Sequence, residues 1–241
     1  WFQIALLIII FLPIFSFLTV KDISIFSRET ENKNYDKNFL LIKSWTRKEV
    51  LTDFKFYTML PALLAPPFII TGIVINQSFI TESKQWGEYV IAQSFMFYSV
   101  LTVITLFIAG NLIDKFTSKK ILPYLNLPIL ISLIILIFFD QEKSAFIFMG
   151  LFGITNGLAQ VLLSSLWAEV YGVNYLGSIK ALTGSLMVFS TALATAIFGA
   201  MIDFGYSIED IAILCLIYTT ISVVLILIFQ KNYKPQLQNK T

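Results

Sequence analysis

The chain has no histidine, one cysteine and few charges: charged residues are 13% of its 241 residues, against roughly 25% in an ordinary soluble domain. Without an imidazole the commonest metal ligand and proton shuttle is missing, so no metal site and no histidine chemistry are expected. Cys215 stands alone in an apolar run, which excludes an internal disulfide and leaves a small packed or lipid-facing residue. A net charge of +2, dispersed along the chain, offers no basic patch for nucleic acid. The apolar runs hold no carboxylate pair and no nucleophile beside a base, so neither an enzyme nor a cofactor is expected.

What the chain has is grease. It is 57% hydrophobic with a mean hydropathy of +0.79, which makes the lipid bilayer its first partner. A bilayer core of about 30 Å needs roughly twenty apolar residues to cross, and seven stretches qualify: 1–20, 55–80, 89–110, 121–139, 145–168, 179–201 and 211–229. The opening run WFQIALLIIIFLPIFSFLTV lacks the basic start and small-residue cleavage site of a secretory signal, and reads as a membrane helix with a truncated start. Residues 21–53 form a polar loop of mixed sign, the natural boundary between two halves of a larger protein, and 230–241 form a tail.

Lysine and arginine are retained on the cytoplasmic side of a membrane. With the long loop inside, only Lys84 and Lys143 of the 17 lysines and arginines fall outside, so the turn GNLIDKFTSKK at 110–120 and the C-terminal tail are expected to be cytoplasmic. The 15 acids all lie in loops or at helix ends, and no ion is expected near the bilayer midplane.

In that turn Gly110, Asp114, Lys115, Lys119 and Lys120 resemble the G-x-x-x-D-(R/K)-x-G-x-(R/K)-(R/K) loop of the major facilitator superfamily, in its second copy, between the eighth and ninth helices. Thr117 stands where the pattern has its second glycine. LWAEVYGVNYLGSIKAL at 166–182 and FGAMIDFGYS at 198–207 resemble the tenth-to-eleventh helix region of that family's monocarboxylate and oxalate/formate branch. The resemblance covers most of the chain. It implies an all-α membrane protein of seven transmembrane helices: the last helix of an N-terminal half (1–20), a cytoplasmic inter-half loop (21–53) and the C-terminal six-helix bundle of a major facilitator fold (54–229). The missing N-terminal half is then a partner of this one. The implied location is a bacterial inner (plasma) membrane, multi-pass, with the C-terminus cytoplasmic.

The resemblance further implies that spans two, three, five and six line a central cavity while four and seven face lipid. Five of six amides within the spans obey that division: Asn76, Gln77, Gln93, Asn156 and Gln160, with Asn126 in span four the exception. Asn156, Gln160 and Ser164 recur every four residues, so they form one polar stripe that either faces a watery cavity or bonds neighbouring helices, with Gly150, Gly153 and Gly157 allowing close approach. Asn76, Gln77, Gln93, Tyr98, Asn156 and Gln160 are the candidate solute contacts, and Asn156 and Gln160 are expected to turn toward the same central face as Tyr98 and Asn76. Pro61, Pro66 and Pro67 should kink span two, either as a flexing gate or as a static bend relieved by neighbours. Glu169, with Gly110, Asp114, Lys115, Lys119 and Lys120, is a candidate cytoplasmic gate. Residues from Glu169 to Lys180, where Gly172 and Gly177 suit helix ends, are expected to form a turn that brings Glu169 within reach of Lys119 or Lys120, and Asp114 is expected to cap a helix N-terminus that the resemblance places in the other half.

The expected function is transport of a small solute by alternating access, as a secondary transporter; a narrower alternative is a monocarboxylate or other small organic anion. A seven-helix receptor or sensor is the rival from another class, weakened in its retinal form because the last span holds no lysine.

Overall fold

The computed structural model describes residues 43–233. The span expected at 1–20, most of the polar loop and the end of the tail lie outside the described residues. Those described form an all-helical bundle in which six helices are long and apolar enough to cross a bilayer. The chain is thus a multi-pass membrane protein, all-helical over the described residues.

In chain order the helices are α1 (Arg47–Thr52), α2 (Phe54–Ile75), α3 (Gln77–Ser83), α4 (Val90–Phe116), α5 (Ser118–Ile121), α6 (Leu127–Phe138), α7 (Glu142–Tyr171), α8 (Leu176–Asp203) and α9 (Ile208–Phe229). A 3-10 turn, Leu122–Tyr124, joins α5 to α6, and another, Gln230–Asn232, follows α9. Consecutive spans run antiparallel through short turns, and α4 packs along most of α7. One end of the bundle gathers Lys55, Lys115, Lys119, Lys120, Lys180 and Lys231 (the basic end). The other gathers Glu82, Glu88, Asp140, Glu142, Asp203, Glu209 and Asp210 against Lys84 and Lys143 (the acidic end).

Glycine sets the α4–α7 contact. A Cβ at Gly153 would collide with the backbone of Tyr98, and one at Gly157 would lie 2.6 Å from the Thr102 carbonyl oxygen. The helices touch backbone to backbone there, and Thr102 donates across the seam to the Gly153 carbonyl at 3.1 Å.

Span two is split, because α2 stops at Ile75, Asn76 leaves the helical conformation, and α3 begins at Gln77. Within α2, Pro66 and Pro67 carry no N–H, so the Ala62 and Leu63 carbonyls lose their ordinary intrahelical donors. A neighbouring helix replaces one of them: Asn126, at the start of α6, donates to the Ala62 carbonyl at 2.9 Å. In the same segment Tyr218 of α9 donates to the Pro61 carbonyl at 2.8 Å and Ser190 of α8 to that of Leu64 at 3.4 Å. The proline-bearing segment of α2 is thus bonded to three neighbouring helices.

In the most apolar window of each span, α4 and α8 are only 17% buried, whereas Ser118–Phe138 is 50% buried and Ile208–Asn232 39%. Hydropathy cannot separate these faces, since all six spans are apolar. The difference comes from packing: α6 and α9 wedge against α2 and α7 through Ile129, Leu133, Ile211 and Cys215.

Candidate functional site

The charged turn begins where α4 ends at Phe116. Thr117 takes φ 70° and ψ 148°, and α5 starts at Ser118. A backbone with positive φ suits glycine, which explains the glycine of the pattern that Thr117 replaces. Glu169, buried near the end of α7, reaches this turn. Its Oε2 accepts from the Ser118 N–H at 2.8 Å and the Lys119 N–H at 3.4 Å, while Oε1 pairs with Lys119 Nζ at 3.1 Å. Ser118 Oγ donates to Ser165 Oγ at 2.7 Å, and the Gln230 amide donates to the Lys119 carbonyl at 3.3 Å. A carboxylate thus sits on the first free N–H groups of a helix, where negative charge is stabilised by up to about 2 kcal/mol when partly buried.

That acid is Glu169. The Asp114 side chain is exposed and has no partner among the described residues; the helix end expected to receive it belongs to the other half, outside them. Lys115 lies over the Phe116 ring at 5.4 Å, and Lys120 points to the surface. Gly110 has open space around it: a Cβ there would meet nothing within 4 Å.

The turn expected from Glu169 to Lys180 is shorter than the sequence implied. The α7 helix runs through Glu169 to Tyr171, and α8 resumes at Leu176 with Gly177 inside it. Burial of Trp167, Val170 and Tyr171 in the core at the basic end holds the last turn of α7 helical. Gly172, at φ 79°, ends it; a Cβ there would also lie 2.8 Å from Ser44 Oγ. The Trp45 N–H donates to the Tyr171 carbonyl at 2.9 Å, so the chain entering α1 is laid against this corner.

Two of the six candidate solute contacts, Gln77 and Gln160, border recesses among the described residues. Gln77, with Thr81, Gln85 and Trp86, borders an open recess of about 530 Å³ at the acidic end. Gln160 borders another of about 210 Å³ near the basic end, with Ser164, Lys180 and Thr183. Asn76 turns back onto its own helix, donating to the Gly72 carbonyl at 2.8 Å, and Gln93 is exposed on α4. Tyr98 is half-buried beside Phe95, ring centroids 6.1 Å apart, and Asn156 is half-buried on α7. Asn126, set aside as the exception, is the most enclosed amide at 1% exposure. The proline pair was the sequence signal for it, because a freed carbonyl in a membrane helix calls for a nearby donor. Lys180 lines the smaller recess, its ammonium 3.2 Å from Ser164 Oγ.

At the acidic end Lys84 is a second feature that sequence reasoning passed over. Its side chain is 1% exposed and pairs with Asp140 at 2.6 Å and Glu209 at 2.7 Å. Burial alone would lower the lysine's pKa; the two carboxylates outweigh it and raise the value above the ordinary one. Trp86 Nε1 donates to the Asp140 carbonyl at 2.7 Å and the Gly87 N–H to Glu142 Oε1 at 3.0 Å. The ends of α3, α6, α7 and α9 are thereby joined. No protein-family profile and no curated protein matches this chain.

Proposed function

We propose that the chain is part of a transmembrane transporter of the major facilitator type, corresponding to the C-terminal six-helix bundle and the helix before it, which moves a small solute by alternating access. The observation that carries this reading is the charged turn between α4 and α5, docked by Glu169 onto the end of α7. It couples the ends of three helices through charge on the side where lysines gather, as a gate must.

Two further features support it. The most exposed spans, α4 and α8, present Met96, Val100, Ile104 and Phe107 and Val188, Phe189 and Leu193, the faces that an N-terminal half would cover. The basic end is the cytoplasmic one under the retention rule for lysine and arginine, which places the C-terminus inside. Purified protein in liposomes should accumulate at least one member of a broad panel of small organic solutes against protein-free controls. Failure across the panel, with correctly oriented and folded protein, would overturn the reading.

A further inference from the structure

We propose that the recess between α7 and α8 is an oxyanion site with Lys180 as its cationic anchor. Assigning the oxyanion to the carboxylate or phosphate of a transported solute rests on the transport reading above.

The recess is about 210 Å³, room for several waters. Gly184 leaves open space in its wall. Lys180 has a single hydrogen bond, to Ser164, and no carboxylate within ion-pair distance among the described residues. At the same end Lys119 pairs with Glu169 and Lys43 with Glu49. Lys180 therefore keeps ammonium donors free.

Its direction is as telling as its lack of a counterion. Side chains on a helix lean toward the N-terminus, which for α8 is the basic end, so a lysine on its second turn would reach interfacial water with little effort. Ser164 instead lies seven residues before the end of α7, about 10 Å up that helix. The ammonium bends up the groove toward it. A cation drawn toward the apolar part of a bilayer is costly unless hydrated or paired.

The donors suit an oxyanion. Ser164 Oγ accepts from Lys180, which leaves its own O–H to donate, and the Gln160 amide adds two N–H groups on the same face of α7. Thr183 is less available, since its hydroxyl bonds the Ile179 and Lys180 carbonyls. The larger recess at the acidic end is lined by Glu82 and Glu88 and by no cation, so it offers an anion nothing comparable.

Equilibrium binding of radiolabelled lactate, oxalate and inorganic phosphate to the full chain, in nanodiscs of phosphatidylcholine or of phosphatidylcholine with phosphatidylglycerol, tests the site. At least one anion should bind saturably, tenfold or more weakly in Lys180→Gln and within about threefold in Lys180→Arg. Gly184→Leu, which blocks the recess and keeps the charge, should also lose binding, and so guards against misfolding of the lysine variant. Lysine-dependent retention of phosphatidylglycerol without binding of the free anions would keep the oxyanion site and overturn its assignment to a solute. No binding of any probe, or equal binding in wild type, Lys180→Gln and Gly184→Leu, overturns the site itself. Full-rate uptake of a cationic or neutral solute by Lys180→Gln would overturn the solute assignment while transport stands; saturable anion binding without uptake of any solute would do the reverse.

Discussion

Thr117 holds a β-branched side chain at φ 70°, where glycine is at ease and threonine is strained by about 1–3 kcal/mol. Thr117→Gly should therefore raise stability by about 1 kcal/mol after the entropic cost of glycine, seen as a higher melting temperature in detergent; an unchanged or lower melting point would mean that the turn carries no strain. Asn126 allows a sharper test. Asn126→Ala leaves the Ala62 carbonyl without its side-chain donor and should cost about 1–3 kcal/mol. Pro66→Ala returns a backbone N–H to that carbonyl, so in the double variant the Asn126→Ala loss should shrink by about 1 kcal/mol; strict additivity would show the bond to be idle. The polar residues were legible in the sequence as a set, but not in their roles. An amide in an apolar run announces that it needs a partner, while the partner's identity depends on which helix lies alongside, and six apolar spans look alike to any pattern of hydropathy.

Helix ends were more legible than helix neighbours, because caps are local chemistry. Thr46 and Glu49 form a capping box at α1, and Ser207 and Asp210 another at α9, each recognisable as a hydroxyl followed three residues later by an acid. In the first, the Thr46 N–H, then Lys43, then the Thr46 hydroxyl hold the Glu49 carboxyl at about 2, down from 4.5. A lowered acid stabilises the folded form above its ordinary pKa and loses that contribution as the pH falls. Docking of α1 should thus be constant from neutral pH down to about 4.5 and weaken from there toward 2, read from the indole N–H resonance of Trp45, and Glu49→Gln should abolish the transition. The α7–α8 corner was misread for the opposite reason. Two glycines five residues apart suggested a long turn, but a glycine ends a helix only where the fold requires it, and burial of Trp167 and Tyr171 kept the preceding turn helical.

Across the whole molecule the two ends differ in kind. At the acidic end a buried lysine and its two carboxylates join four helices within the bundle, whereas at the basic end an exposed Asp114 is left facing outward beside a turn that Glu169 already satisfies. On the transport reading that spare carboxylate bonds a helix end of the other half while the cytoplasmic side is shut. Asp114→Asn should then shift the population toward the inward-open state, increasing labelling of a cysteine at position 164 from the cytoplasmic side in a Cys215→Ser background; equal labelling with unchanged transport would reduce the turn to a basic connector. The proline pair of α2 also shapes how the protein is made. Asn126, the donor to the Ala62 carbonyl, lies 64 residues further along the chain. At roughly 5–20 residues per second it is added about 3–13 s after Ala62. Until then α2 waits in or beside the membrane insertion machinery with a carbonyl that lipid cannot satisfy, so an early span of the bundle is consolidated only when a later one arrives.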